Sequence, residues 1–252
     1  MMLMVDMGNS SIKWATWEQN RLSVQQRIPY QTKNFEKTLT QAWLMLNAPS
    51  QGVWISNVAG LDKAKIITHW VTTHWGFKPT FIKTSASKCG VKNGYKNPEQ
   101  LGVDRWLALI GAYHLEKGRL CVVDCGTAIT VDLLLANGHH QGGLIIPGTT
   151  TMHRALLNDT YALAQFNKTL LQHGKKTFLA HETHTGITLG TLYAVVGFLE
   201  YVLNVLEQQG SPLKLILTGG SVPALESFLQ RPYQYISDLV LQGLVTIVNQ
   251  SL

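Results

Sequence analysis

Arg119–Leu135 (RLCVVDCGTAITVDLLL) carries the plainest pattern in the chain. It is an apolar run, a short interruption at Asp124-Cys125-Gly126-Thr127, and a second run alternating β-branched and other apolar residues. Leu120–Val123 and Ile129–Leu135 predict strands. The Cys-Gly-Thr-Ala piece predicts a tight turn, with Gly126 free to take a positive φ. Met2–Lys13 (MLMVDMGNSSIK) opens the chain with the same order, so that Val5-Asp6-Met7-Gly8-Asn9 superposes on Val123-Asp124-Cys125-Gly126-Thr127. A carboxylate at a strand end beside exposed turn amides suits a polyphosphate, the amides meeting oxygens and the carboxylate a cation. The same element also serves as a plain hairpin turn. Two copies lie too far apart for a solenoid repeat. They point to two related halves facing each other across a nucleotide cleft.

Between these anchors the pattern alternates strand and helix, as in α/β proteins. Ser11–Trp17 continues the first hairpin, Gln19-Asn20 is a turn, and a polar strand is expected over Leu22–Ile28. Phe35, Leu39, Ala42, Trp43 and Leu46 recur at helical spacing over Asn34–Leu46. Val53–Val58 reads as a buried strand, Leu61–Trp75 as an amphipathic helix stopped by Gly76, and Pro79–Ile82 as a strand. A helical pattern over Trp106–Lys117 leads into the second half and is the expected hinge. Gly142–Gly148 predicts a short strand, Thr150–Leu157 a helix, and Thr183–Glu207 one long helix. Within that helix Gly190 and Gly197 are expected to allow close helix packing. Leu213–Gly220 reads as a strand entering paired glycines, which lets backbone approach a flat ligand such as adenine or simply makes a strand-to-helix turn. Pro223–Leu229 and Asp238–Val248 predict the last helices. The expected domains are residues 1–114 and 115–252.

Composition changes this picture little. The 252 residues are ample for a core, 45% are hydrophobic and 14% charged, and the formal charge of +6 suits anionic ligands. The lysines and arginines are scattered, so no nucleic-acid surface is expected. Three cysteines (Cys89, Cys121, Cys125) are too few and odd in number for a disulfide framework, and Cys121 and Cys125 read as buried thiols. The expectation is a cytoplasmic protein without a membrane-spanning segment.

Cys89–Gln100 (CGVKNGYKNPEQ) is the longest irregular polar stretch, of the kind that is often functional. It runs into Gly102-Val103-Asp104-Arg105 at a helix start. There, Asp104 and Arg105 read either as a helix cap and a surface ion pair or as ligand-binding groups. His139, His140, His181 and His184 lie in polar stretches and are expected to be solvated.

In this order and at these spacings, D-M-G-N-S-S-I-K, Y-K-N-P-E-Q-L-G-V-D-R-W, V-V-D-C-G-T-A-I-T-V-D, G-G-L-I-I-P-G, T-G-G and D-L-V-L-Q-G-L resemble type III pantothenate kinases, of the acetate and sugar kinase/actin-like superfamily. The resemblance covers nearly the whole chain, and Gly102-x-Asp104-Arg105 is its most specific part. It implies an α/β fold of two ribonuclease-H-like domains around a nucleotide cleft, assembled as a homodimer. The implied reaction is ATP-dependent phosphorylation of pantothenate, the first step to coenzyme A, assisted by Mg²⁺ and by K⁺ or NH₄⁺. Residue by residue, it implies that Asp6, Met7, Gly8, Asn9, Ser10, Ser11, Ile12 and Lys13 bind ATP, with Asp6 at Mg²⁺ and Thr127 a further ATP contact. It implies a pantothenate site of Tyr95, Gly102, Val103, Asp104, Arg105 and Thr183, with Asp104 as general base and Asp124 as ligand of K⁺ or NH₄⁺. Departures are small: Ser10 stands where threonine is commoner, Ser221 follows the paired glycines, and Gln242 replaces a frequent acidic residue. Two other readings stay open, a transcriptional accessory factor of the same family without kinase activity and another small-molecule kinase of the superfamily. Intact Asp6, Asp104, Arg105 and Asp124 argue against a degenerate enzyme.

Overall fold

The computed structural model describes residues 1–159, 178–210 and 212–250. The first part of the chain forms β1 (Met2–Met7), β2 (Ser11–Glu18), β3 (Arg21–Leu22), β4 (Gln26–Pro29), α1 (Phe35–Leu44), β5 (Val53–Asn57), α2 (Leu61–Trp75), β6 (Thr80–Phe81), β7 (Ser87–Lys88), β8 (Val91–Lys92) and α3 (Val103–Leu115). There follow β9 (Arg119–Cys125), β10 (Ala128–Leu134), β11 (His140–Pro147), α4 (Thr149–Asp159), α5 (Thr183–Gln208), β12 (Leu213–Thr218), α6 (Val222–Leu225), β13 (Gln234–Tyr235) and α7 (Leu239–Asn249). Helix α2 matches the sequence expectation residue for residue. The stretch Leu22–Ile28 instead breaks into β3 and β4, each paired separately along β2.

Two compact units result. The first joins Met1–Lys117 to Leu134–Gly142 and to the closing segment from Asp238; the second holds Gly118–Leu133 and the described residues of Gly143–Ser237. The closing helix therefore goes with the first unit, not with a contiguous 115–252 half. Its physical reason is backbone-to-backbone packing of α7 on α3. A Cβ on Gly111 would stand 2.6 Å from the Leu239 carbonyl oxygen, and one on Gly243 2.0 Å from that of Leu107. Only glycine at both places lets the helices approach this closely.

The first unit is built on a mixed sheet in the order β3-β2-β1-β5-β6, with β4 also along β2. Strand β1 runs antiparallel to β2 and parallel to β5 and is buried along its whole length. That explains why it reads as an unbroken apolar run, since both its faces are covered. Trp43 lies at the centre of the core, edge-on to Trp14 and Trp70 and stacked on Trp75.

The second unit carries the sheet order β11-β10-β9-β12-β13. Along α5, Leu192, Val195, Leu199, Val202 and Leu203 form a buried stripe at helical spacing against Cys121, Val123, Leu215 and Leu217. This helix is long and apolar enough to cross a membrane by length and composition, contrary to the expectation that no segment would be. The buried stripe uses part of that apolar length, and Glu200 and Glu207 on the same helix pair with Arg231. Among the described residues Gly190 and Gly197 serve no close helix packing, because a Cβ at either would meet none of them within 4 Å.

Candidate functional site

Strands β1 and β2 place Asp6 and Lys13 as register partners at the mouth of the first hairpin, with Nζ and Oδ2 3.8 Å apart. Between them the Gly8 N–H closes the turn on the Ser11 carbonyl at 3.1 Å, and the Tyr30 N–H donates to the Ser10 carbonyl. Arg27 Nε donates to the Ser11 hydroxyl. Met7 and Ile12 point into the core, whereas Asn9 and Ser10 are exposed at the tip. A ligand at this hairpin therefore meets turn backbone, Asp6 and Lys13, not the apolar side chains between them.

Asp6 is buried, and among the described residues its Oδ1 has no hydrogen-bond partner of good geometry. Burial pushes its carboxyl up to about 6; the Lys13 ammonium opposes this, and the negative charge of Asp104 adds to it. Asp6 and Asp104 thus share one electrostatic neighbourhood. The Tyr30 hydroxyl is likewise buried without a partner among the described residues, and Ser56, the register partner of Asp6 across β5, brings its hydroxyl to the Asp6 carboxylate. An orphaned, buried carboxylate oxygen fits a divalent cation reached directly or through water. Among the described residues no group of three or more His, Cys, Asp or Glu could hold a metal. An ion at Asp6 would take most of its ligands from phosphate and water.

The start of α3 departs from the reading of Asp104-Arg105 as a cap and a surface ion pair. The helix is capped by Gly102, so Asp104 is its second residue and not its N-cap. The Arg105 N–H donates to Asp104 Oδ1 at 2.8 Å. A Cβ on Gly102 would stand 2.6 Å from that same oxygen, so glycine two residues ahead leaves room for the carboxylate to fold back over the helix N-terminus. Arg105 is no surface residue either, being only 6% exposed. Its Nη1 donates to the Tyr95 hydroxyl at 2.9 Å, and its guanidinium lies 5.5 Å from the Tyr95 ring centroid. The polar loop expected to be irregular therefore delivers Tyr95 to Arg105.

The second hairpin differs from the first in detail. The Gly126 N–H bonds the Ala128 carbonyl, giving a turn one residue shorter than Gly8 to Ser11. Gly126 does not take the positive φ expected of it. The Thr127 carbonyl accepts from the Gly148 N–H and the Thr151 hydroxyl. The close approach belongs to Gly219, at φ +95°, where a Cβ would stand 2.4 Å from Asp124 Oδ1 and 2.5 Å from the Cys125 carbonyl. The first of the paired glycines thus makes room for Asp124. Cys121 and Cys125 are buried as expected, and burial pushes both thiols up to about 12, so they stay protonated.

Thr183 is exposed at the start of α5 and lines a cavity of about 800 Å³ with Thr151, Asp159, Gly186, Ile187 and Gly190. His184 and His140 are not solvated: they are 8% and 0% exposed. His184 lies edge-on to His153, whose imidazole is pushed to lower pKa by burial and by His184. His140 stacks near-parallel on Tyr95, with centroids 5.8 Å apart. Tyr30, Ser56 and His140 escaped the sequence reading. The one available signal was the His139-His140 doublet at a strand start, where alternation turns one of the two inward.

Likeness to solved structures establishes the class of fold. A crystal structure from Campylobacter jejuni, of a conserved protein named for the Baf family of transcriptional activators, matches with a TM-score of 0.56 at 22% identity, over 99% of this chain and 98% of that one. The activator of the 2-hydroxyisocaproyl-CoA dehydratase from Clostridium difficile, with bound ADPNP, matches with a TM-score of 0.56 at 10% identity, over 99% and 95%. These are folds of the actin-like ATPase and sugar kinase class. A profile of the type III pantothenate kinase family matches residues 2–205, and the type III pantothenate kinase of Nitrosococcus oceani is 34% identical over 100% of this chain and 95% of its own length. The chain belongs to the type III pantothenate kinase family.

Proposed function

We propose that the chain transfers the γ-phosphoryl group of ATP to the primary hydroxyl of pantothenate, the first step to coenzyme A. Beyond family membership, one observation carries the residue-level reading. The Asp104–Arg105–Tyr95 group lies in the same unit as the Asp6–Lys13 hairpin, close enough for the charge of Asp104 to be felt at Asp6. A phosphate hairpin beside a carboxylate and a buried guanidinium is what phosphorylating a small carboxylic acid requires.

In this reading the turn amides of Asn9 and Ser10, in the turn that Gly8 opens, and the Lys13 ammonium hold the ATP phosphates, and Asp6 holds Mg²⁺. Bound Mg²⁺ supplies charge neutralisation at the phosphates. Arg105, with its fork of donors, pairs with the pantothenate carboxylate, and Tyr95 fixes the direction of that fork. Gly102 and Val103 line the approach to Asp104. As the hydroxyl oxygen bonds to the γ-phosphorus and ADP leaves, the hydroxyl proton passes to the Asp104 carboxylate. Thr127 is assigned to ATP, Thr183 to pantothenate and Asp124 to K⁺ or NH₄⁺. Asp124 is a partly buried carboxylate, and oxygen ligands of this kind suit such an ion.

The same reading makes the protein a cytoplasmic homodimer. Three buried free thiols suit a reducing compartment. Leu144 and Ile145 are exposed on β11, an edge strand of the second sheet, where a second copy would cover them. Light scattering on a sizing column measures the assembly. A coupled ADP-release assay with pantothenate, a panel of sugars, acetate and no acceptor tests the activity. Pantothenate alone should drive ADP release, and turnover on a sugar instead would replace this reading with that of another small-molecule kinase.

A further inference from the structure

We infer that His140 is a positioning residue for the pantothenate subsite: its ring holds Tyr95, and through Tyr95 it sets the guanidinium of Arg105. The inference rests on the reading above, which places Tyr95 and Arg105 at the acceptor, and adds a residue that the family motifs do not name.

The loop carrying Tyr95 is fastened from two sides. From within, Asn93, 7% exposed, donates its amide to the Ser85 and Pro98 carbonyls and accepts the Tyr95 N–H at 3.0 Å. From outside, the 138–140 segment forms a floor. The Lys92 N–H donates to the Gly138 carbonyl at 2.9 Å, and Lys92 bridges His139 in parallel. A Cβ on Gly138 would stand 2.1 Å from the Gly90 carbonyl oxygen, and one on Gly94 1.9 Å from that of His140. Two glycines thus bring the backbones into direct contact. On this floor stands the fully buried His140 ring, whose Nδ1 accepts a long bond of 3.5 Å from the Gly94 N–H.

Asn93 fixes the Tyr95 backbone but not its side chain. The ring has the His140 stack on one contact and the Arg105 Nη1 bond at its hydroxyl. Without the stack Tyr95 gains rotamer freedom, and the long Arg105 side chain loses the acceptor that aims it. Ordering them again on binding weakens acceptor affinity by about 10-fold, the scale of immobilising one or two side chains. ATP, held at the Asp6 hairpin, is untouched.

The test pairs two variants of the full-length enzyme. His140→Asn keeps an acceptor near the Nδ1 position and removes the ring; His140→Phe keeps the ring and removes the acceptor. Melting curves with and without ATP show that each is folded. Expected for His140→Asn is a roughly 10-fold rise in the pantothenate KM, with the ATP KM and kcat within about twofold. His140→Phe should restore the pantothenate KM to within about threefold of wild type. In a Tyr95→Ala background His140→Asn should add less than about twofold, because the effect passes through Tyr95. A pantothenate KM unchanged in His140→Asn overturns the inference, as does an equal rise in both KM values or a full further loss in the Tyr95→Ala background. If the wild-type enzyme shows no pantothenate-dependent turnover, the functional reading falls and this inference with it. Normal wild-type turnover beside unresponsive His140 variants sinks the inference alone.

Discussion

The Asp6 carboxylate lies 3.8 Å from the Lys13 ammonium, its register partner across the first hairpin, yet its pKa is raised to about 6 because burial outweighs that attraction. An unfolded aspartate releases its proton near 3.8, whereas folded Asp6 keeps it to about 6. The protonated form therefore adds stability that is fully present below about pH 4 and is lost as pH rises through about 6. Asp6→Asn has no such dependence. The cation-free variant should be more stable than wild type at pH 7.5 by about 1–3 kcal/mol, the gap opening between about pH 4 and 6.5. Urea melts across pH measure it. The same variant should need more Mg²⁺ for any residual turnover. A wild type at least as stable as the variant at pH 7.5, or an unchanged Mg²⁺ dependence, would refute this assignment.

Asp104 accepts the Arg105 N–H, so an isosteric amide keeps an acceptor oxygen for that bond. Asp104→Asn should lower kcat by roughly 10²–10⁴-fold, the usual contribution of a general base, with ATP affinity and melting temperature nearly unchanged. Retention of more than about a tenth of wild-type kcat would remove Asp104 from that role.

Asp124 occupies the place in the second hairpin that Asp6 holds in the first, and one Mg²⁺-ATP needs only one such carboxylate. Wild-type activity should rise when KCl or NH₄Cl replaces sodium or Tris salts at matched ionic strength, which keeps screening constant. The activation should vanish in Asp124→Asn. Equal activity of wild type in all these salts would end the proposal.

The α3–α7 contact predicts a large cost for a small change. In Gly243→Ala the added Cβ would meet the Leu107 carbonyl oxygen at 2.0 Å, and backbone rather than a flexible side chain has to move. Denaturant melts should show a loss of at least about 2 kcal/mol. Gly190→Ala, where a Cβ meets none of the described residues within 4 Å, should be neutral or slightly stabilising because alanine favours helix.

Local pattern alone determined most of the elements. The repeated Asp-x-Gly hairpins and helix α2 ended by Gly76 were legible because turn chemistry and apolar periodicity act over a few residues, whereas the Gly-x-Asp-Arg element stood out only through its resemblance to a family. The stripe on α5 is written in its spacing. What sequence could not fix was which distant surfaces meet. Nothing near Gly243 says that its partner is Leu107, so the closing helix could not be assigned to the first unit. The polar neighbours of His140 and His184 point to solvent, but burial depends on what the fold packs over them, and both are enclosed. On local pattern Asp104 could equally be a cap, because Asp commonly is one; only the Gly102 cap and the buried Arg105 exclude that reading. In each case the deciding term is desolvation or close contact between residues far apart in the chain, which exists only once the tertiary structure has formed.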